Sequence, residues 1–277
     1  MMKPYQQLPI EFSILKQREF EQIRQFLYEE AGIFLSDIKK SLVASRLCKR
    51  LKETGYQNYG DYFEFVKNNL QHIEYHHFID ALTTNETFFF RENEHFDFVK
   101  QLIKDHSQKK SWQAWSAACS SGEEAYSLAM LFADILGIDG QWQVQGSDIS
   151  QRVLAKAELA HYLLERNEGI GFERLQKYCL KGVGRQSGTF LIDDILKDKV
   201  SFFTMNLTQS CESVGMCDVI FIRNVMIYFD ADSKQRVINN VVKQLKVGGY
   251  LFISHTESLM HVNHRLKQIK PSIYQRI

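Results

Sequence analysis

Charge of one sign, paired cysteines, long apolar runs and phosphate-loop glycines are all missing from this 277-residue sequence, and each absence removes a class of function. The net charge is +1 at pH 7, too little for a surface that tracks nucleic acid as a whole, so any basic patch must be local. The five cysteines, Cys48, Cys119, Cys179, Cys211 and Cys217, are odd in number and contain no CxxC pair. They read as small buried apolar residues in a reducing cytosol, with no structural metal. The N-terminal MMKPYQQLPIEFSILKQREF has no signal-peptide core, and no apolar run is long enough to cross a bilayer. A soluble, cytoplasmic protein without membrane insertion is therefore expected. Neither GxGxxG nor GxxxxGKS/T occurs, which excludes the common pyrophosphate cradles.

What is present divides near residue 83. Apolar residues at 3.6-residue spacing predict helices over 16–30, 37–54, 61–69 and 72–82, punctuated by Gly32, Gly55 and Gly60, hence an all-α domain over 1–82. A linker and helix follow over 83–110. From 111 to 277, strands at 112–118, 141–147, 217–222 and 250–255 alternate with helices at 121–136, 150–160 and 231–246. That alternation predicts an α/β doubly wound, mostly parallel sheet. The stretch 160–207 is too long for a plain crossover, and pieces such as TFLID and VSFFTMN suggest an inserted small antiparallel β-subdomain. A long loop with one hairpin fits the same stretch.

The most informative segment is WSAACSSGEEAYSLAM, residues 115–130, in which a strand runs into seven small residues and then an acidic helix start. Small side chains let a ligand approach the backbone, Gly122 permits a turn other residues resist, and Ser120 or Ser121 can cap the helix. Glu123 and Glu124 in the first turn would repel a pyrophosphate, so a neutral or cationic ligand is expected. S-adenosylmethionine fits, having a sulfonium, no phosphate and ribose hydroxyls that need acceptors. An ordinary strand-loop-helix connection reads the same way in isolation. Asp148, at the end of the second strand in QVQGSDIS, is placed to accept from both ribose hydroxyls, or to cap the helix near Ser150.

Two further segments carry polar residues beside apolar ones. In CDVIFIRNVMIYFD, a strand ends in Arg223 and Asn224 and is followed by Tyr228, which can hydrogen-bond a carboxylate or sit half-buried in a core. In TTNETFFFRENEHF, Arg91 follows three phenylalanines, and its guanidinium can grip a carboxylate through two parallel bonds. His72 and His76 stand four residues apart, but HIEYH is not HExxH, and a boundary role is expected.

TTNETFFFRE, WSAACSSGEEAYSLAM, GSDIS, FFTMNL, VIFIRNVMIYF and GGYLFISHTESL occur in one order over 83–259, and together they resemble the chemotaxis protein methyltransferases of the CheR type. The resemblance implies a class I methyltransferase sheet that takes methyl from S-adenosylmethionine to glutamates of chemoreceptors and releases S-adenosylhomocysteine. It implies cofactor contacts at Asn85, Thr87, Arg91, Glu123, Asp148, Asn206, Leu207, Arg223 and Asn224, and acceptor orientation by Arg91 and Tyr228. The partners it implies are the cytoplasmic methylation helices, with the β-subdomain as a tether for a receptor C-terminal peptide; a monomer and no nucleic acid are expected. Ala125 and Asn93 depart from positions where proline is common in that family, and neither removes an implied ligand. The helical domain offers Lys39, Arg46, Lys49 and Arg50 on one arc of SDIKKSLVASRLCKRLKETG, with Ser36 as cap. This stripe is a candidate receptor-docking face, and a solvated face has the same pattern.

Overall fold

Helices alone build the first part of the chain in the computed structural model, which describes residues 14–277. The described residues divide into two compact units, 14–30 with 34–83 and 31–33 with 84–277. Most of the N-terminal stretch read for a signal peptide, residues 1–13, lies outside the described residues.

The first unit contains α1 (Gln17–Ala31), α2 (Lys40–Thr54), α3 (Tyr59–Asn68) and α4 (Ile73–Leu82). Phe20, Ile23 and Leu27 on α1 and Val43, Leu47 and Leu51 on α2 recur at helical spacing and are all buried, which gives each helix one apolar stripe. Gly55 ends α2 in the left-handed conformation, with its N–H on the Leu51 carbonyl. Asn58 caps α3 by accepting from the Asp61 N–H, and His72 Nδ1 accepts from the Glu74 N–H at the start of α4. The His72 ring is thus used as a helix cap.

Two expectations for this unit need correction. Ser36 makes no side-chain cap bond; it is extended before a single 3-10 turn at Asp37–Lys39, and α2 begins only at Lys40. The basic stripe is half absorbed by the unit itself. Arg50 donates to both oxygens of the buried Glu74 carboxylate at 2.9 and 2.6 Å and also pairs with Glu53. Tyr62 donates to Glu74 as well, at 2.7 Å. A buried carboxylate is costly unless paired, so Arg50 is held inward. Arg46 donates to the carbonyls of Leu82 and Thr83 at 3.0 and 3.2 Å. Lys39 and Lys49 are the two members of the stripe that remain exposed.

In chain order, the second unit runs α5 (Asn93–Asp105), β1 (Trp112–Ala117), α6 (Glu123–Leu136), β2 (Trp142–Asp148), α7 (Gln151–Leu159), β3 (His161–Leu163), α8 (Phe172–Tyr178), β4 (Cys179–Lys181), β5 (Thr189–Ile192) and α9 (Asp194–Lys197). It continues with β6 (Val200–Thr204), β7 (Cys217–Ile222), α10 (Ala231–Lys243), β8 (Leu245–Phe252), β9 (Leu266–Lys270) and β10 (Ile273–Arg276). Seven strands form the main sheet in the order β6-β2-β1-β7-β8-β10-β9. The first five are parallel, and β10 is antiparallel to both β8 and β9. The chain therefore winds outward from β1 in both directions, with the switch between β1 and β7.

Residues alternate between the two faces along each strand. On β7, Val219 and Phe221 join Leu128 and Phe132 of α6, while Ile220 and Ile222 join Val237, Ile238 and Val241 of α10. Each such fully buried side chain contributes about 1.5–3 kcal/mol relative to exposure.

The inserted sheet is smaller than expected. Strands β3, β5 and β4 form a separate antiparallel sheet with β5 in the centre, whereas VSFFT becomes β6 and pairs in parallel with β2 at the edge of the main sheet. A missing side chain seats it there: a Cβ on Gly146 would come within 2.6 Å of the Phe202 ring. The C-terminal pair β9 and β10 was not read from the sequence, because β9 is exposed at four of five positions and shows no alternation.

Candidate functional site

All the candidate contact residues of the second unit lie on segments that leave the carboxyl ends of β1, β2, β6 and β7 or on the segment 85–92 that precedes α5. Ligands in open α/β sheets bind at this edge. Backbone strain concentrates here as well. Of the seven described non-glycine residues with positive φ, five (Phe90, Glu92, Ala118, Ser120 and Asn224) fall in these segments. Such conformations cost about 1–3 kcal/mol each and persist only where surroundings enforce them.

The turn between β1 and α6 is left-handed at Ala118, Ser120 and Gly122. Gly122 has φ +94, and a Cβ there would meet the Ala157 Cβ at 2.8 Å, so glycine is required twice over. Neither serine caps α6, contrary to expectation. Gly122 itself is the N-cap, Ser120 Oγ donates to the Asn85 carbonyl at 2.9 Å, and Ser121 Oγ donates to the Glu123 carboxylate at 2.7 Å. Ser120 thereby ties the TTNET segment to the small-residue turn.

Asp148 is buried at the end of β2. Its Oδ2 accepts from the Ser120 N–H at 2.9 Å and its Oδ1 from the Ser150 N–H at 3.0 Å, so it braces the turn and the start of α7 together. The cap of α7 is Ser150, whose Oγ accepts from the Val153 N–H. The Asp148 carbonyl accepts from the Met205 N–H at 2.9 Å, which brings the segment of Asn206 and Leu207 alongside. Asn206 Oδ1 accepts from Thr208, and Leu207 is buried. Thr87 is half-buried, with its carbonyl accepting from Arg166 at 3.0 Å.

Arg223 is one of the cofactor contacts the resemblance implies, and its side chain does not lie open at the strand ends. The guanidinium is instead 1% exposed and clamped between Glu92 at 3.1 Å, Glu124 at 3.2 Å and the Arg91 carbonyl. Its planar fork binds two carboxylates at once, and its Nε has no partner among the described residues. The Arg223 side chain thus holds the Arg91 backbone. The Arg91 guanidinium lies over the Phe88 ring at 5.3 Å and donates to the Glu86 carbonyl, an arrangement that leaves most of its five donors for an incoming carboxylate.

Asn224 donates through Nδ2 to Ser254 at 2.8 Å, and the turn it begins is held by Glu257. The Glu257 carboxylate accepts from the N–H groups of Asn224, Met226 and Ser254 at 3.1, 2.8 and 2.9 Å. This anchors the 3-10 turn Met226–Tyr228, where Tyr228 is half-buried. A cavity of about 370 Å³ opens beside that turn, lined by Met226, Ile227, Lys234, Glu257, Met260 and His261 among others.

Three of the site's acids share one electrostatic character. Burial raises the carboxyl pKa of Glu123, Glu124 and Glu257, although the Ser121 hydroxyl, the Arg223 guanidinium and backbone N–H groups oppose it in turn. Glu92 moves the other way, because Arg223, Ser254 and the nearby histidines outweigh its burial. Behind Glu92, the rings of His95 and His255 lie tilted against each other at 4.7 Å between centroids, and burial followed by the Arg223 charge pushes the His95 imidazole down to about 4.

Sequence reasoning missed Glu92, Ser254 and His95, and it read Glu124 only as a first-turn acid beside Glu123. Glu124 is adjacent to Glu123, and only the helix orientation shows that it, through Ser116 Oγ at 2.6 Å and Arg223, faces the strand ends. Glu257, in the SHTESL segment, has a structural part, accepting from the backbone N–H groups of Asn224, Met226 and Ser254.

Comparison with known proteins agrees with this geometry. The SAM binding domain model of the CheR methyltransferases matches residues 85–275, and the family's all-alpha domain model matches 18–83. A chemotaxis protein methyltransferase of Escherichia coli is 39% identical over 94% of this chain and 91% of its own length. That of Salmonella typhimurium is 38% identical over 90% and 86%, and chemotaxis protein methyltransferase 2 of Pseudomonas aeruginosa is 35% identical over 92% of each. With both domains matched in order and nearly the full length covered, this chain belongs to the CheR methyltransferase family, the chemotaxis protein methyltransferases that use S-adenosylmethionine.

Proposed function

We propose that this protein acts in the cytoplasm, methylating glutamate carboxylates on the cytoplasmic methylation helices of chemoreceptors and leaving glutamate methyl esters and S-adenosylhomocysteine. The observation that carries the reading is Asp148 beside a phosphate-free turn. Its carboxylate accepts from the Ser120 and Ser150 N–H groups, which fixes it at the end of β2, where an acid reaches ribose hydroxyls. Asn85, Thr87 and Glu123 complete the cofactor side, Asn206 and Leu207 flank the adenine, and Asn224 with the Arg223 backbone lies at the end of β7. The bound cofactor supplies a methyl on a sulfonium, so that as the carboxylate oxygen gains the methyl the S–C electron pair returns to sulfur.

The acceptor needs no general base, since a glutamate of pKa about 4.3 is ionised at pH 7. Arg91 and Tyr228 hold it in line, and positioning of this kind accounts for about 7–11 kcal/mol of a barrier. The helical unit docks the receptor through its exposed lysines Lys39 and Lys49, and the open edges of β3 and β4 offer strand pairing to a receptor C-terminal peptide. The protein acts as a monomer. The test is incubation with methyl-labelled S-adenosylmethionine and a receptor cytoplasmic fragment. Base-labile label on the fragment is the expected outcome, and cofactor binding without any label would overturn the reading.

A further inference from the structure

Glu92, His95, His255 and Ser272 form a cluster that methyl transfer does not use. Glu92 precedes α5, His95 lies one turn into that helix, His255 follows β8, and Ser272 sits in the turn between β9 and β10. Ser272 Oγ is 2.6 Å from the Pro271 carbonyl, 2.7 Å from His95 Nε2 and 3.1 Å from His255 Nδ1. A hydroxyl has one hydrogen and two lone pairs. With its hydrogen on the Pro271 carbonyl, it accepts from both rings, and each imidazole then turns a bare lone pair to its other side.

Those lone pairs converge. His95 Nδ1 lies 3.5 Å from Glu92 Oε2, and His255 Nε2 lies 4.0 Å from the same oxygen and 3.7 Å from Glu94 Oε2. The ligand atoms of Glu92, His95 and His255 all lie within 4.8 Å of one another. His95 is fully buried, and its Nδ1 has no hydrogen-bond partner among the described residues. Lone pairs pointed at a carboxylate oxygen repel unless a cation sits between them. Two ligands bound at 2.0–2.2 Å in tetrahedral array stand about 3.4 Å apart, close to the shorter separations seen here.

We propose that His95 Nδ1, His255 Nε2 and Glu92 Oε2 form a binding site for a divalent cation of the zinc class, with Glu94 as the fourth ligand. Ser272 acts as the outer partner that fixes both tautomers, a role such partners hold at histidine metal sites. His255 is 44% exposed and Glu94 79%, so the ion enters from solvent. Arg223 shares Glu92 Oε2 at 3.1 Å and weakens the site, while Glu94 and Glu124 offset its charge. The bound ion joins the start of α5 to the segment of Glu257, two residues beyond His255, and so stiffens the turn that carries Tyr228.

The experiment uses the full chain stripped with a chelator and titrated with zinc chloride by calorimetry, with melting followed in parallel. One equivalent is expected to bind and raise the melting temperature. Ser272→Ala should weaken binding by about 10–100-fold, the usual effect of losing an outer partner, and His255→Gln by at least as much. His255→Gln sits on the solvent side and avoids disturbing the buried ring; a variant that melts like the stripped wild type shows that loss of binding is not unfolding. No zinc binding by the wild type, or binding that His255→Gln and Ser272→Ala leave unchanged, overturns the site.

Discussion

Glu74 in the helical unit and the pair Glu123 and Glu124 in the second unit are buried in opposite ways. In the helical unit Glu74 is enclosed by Arg50, Tyr62 and His77, and although burial alone would raise its pKa, these hydrogen bonds and the Arg50 charge hold it below the usual carboxylate range. In the second unit Glu123 and Glu124 are left with their pKa raised by burial, despite some compensation from Ser121 and Arg223. A satisfied charge belongs to a structural network, and an under-compensated one to a site that a ligand completes.

The strongest challenge to that contrast is a pair of substitutions. Arg50→Ala leaves Glu74 as an unpaired buried charge and should destabilise the helical unit by about 3–5 kcal/mol in chemical denaturation of the full chain. Glu123→Gln removes a charge the fold disfavours, so melting should not fall, yet calorimetry should find S-adenosylmethionine binding at least about tenfold weaker, the loss of roughly one charged hydrogen bond. Equal stability loss in both variants would abolish the distinction.

Next in size are Arg91→Ala and Tyr228→Phe. Each should lower turnover about 100-fold, the scale of a misplaced reactant, with cofactor affinity little changed. Parallel losses of turnover and affinity would move these residues to the cofactor side of the comparison.

Acid should separate the units. Glu74, depressed in the folded state, contributes stability that is present above the unfolded value of about 4.3 and lost as pH falls through its lower folded value. Glu123, Glu124 and Glu257, raised in the folded state, cost stability at neutral pH, and that cost shrinks as pH falls through their folded values toward the unfolded one. Trp112, Trp115 and Trp142 all lie in the second unit, so their fluorescence reports it. On acidification part of the helix signal in circular dichroism, the share of α1 to α4, should be lost before tryptophan fluorescence changes, and coincident transitions would count against the contrast. The smallest effect expected is Lys39→Glu with Lys49→Glu. Exposed charges contribute about 0.2–1 kcal/mol each, so the receptor KM should rise several-fold while cofactor binding is unchanged.

The legible parts of this molecule are those where local chemistry leaves one solution. Gly122 announces a turn because its φ of +94 and the 2.8 Å approach of Ala157 admit nothing larger. The run of β7 is mostly apolar because both of its faces are covered, and Asp148 is marked by its place at the end of β2. Less legible were VSFFT, whose sheet depends on a distant glycine, and Arg50, whose basic spacing looked like a surface until Glu74 claimed it.

By itself the sequence determined the order of helices and strands, the small-residue turn and the motif set of the family, because helix stripes, strand runs and obligatory glycines are imposed by neighbours along the chain. Only the tertiary structure decided which of two adjacent glutamates meets Arg223, that Glu257 holds the Tyr228 turn, and that His95 and His255, 160 positions apart, share one serine. Those pairings join residues far apart in the chain, and their energies exist only once the sheet has brought its strand ends together.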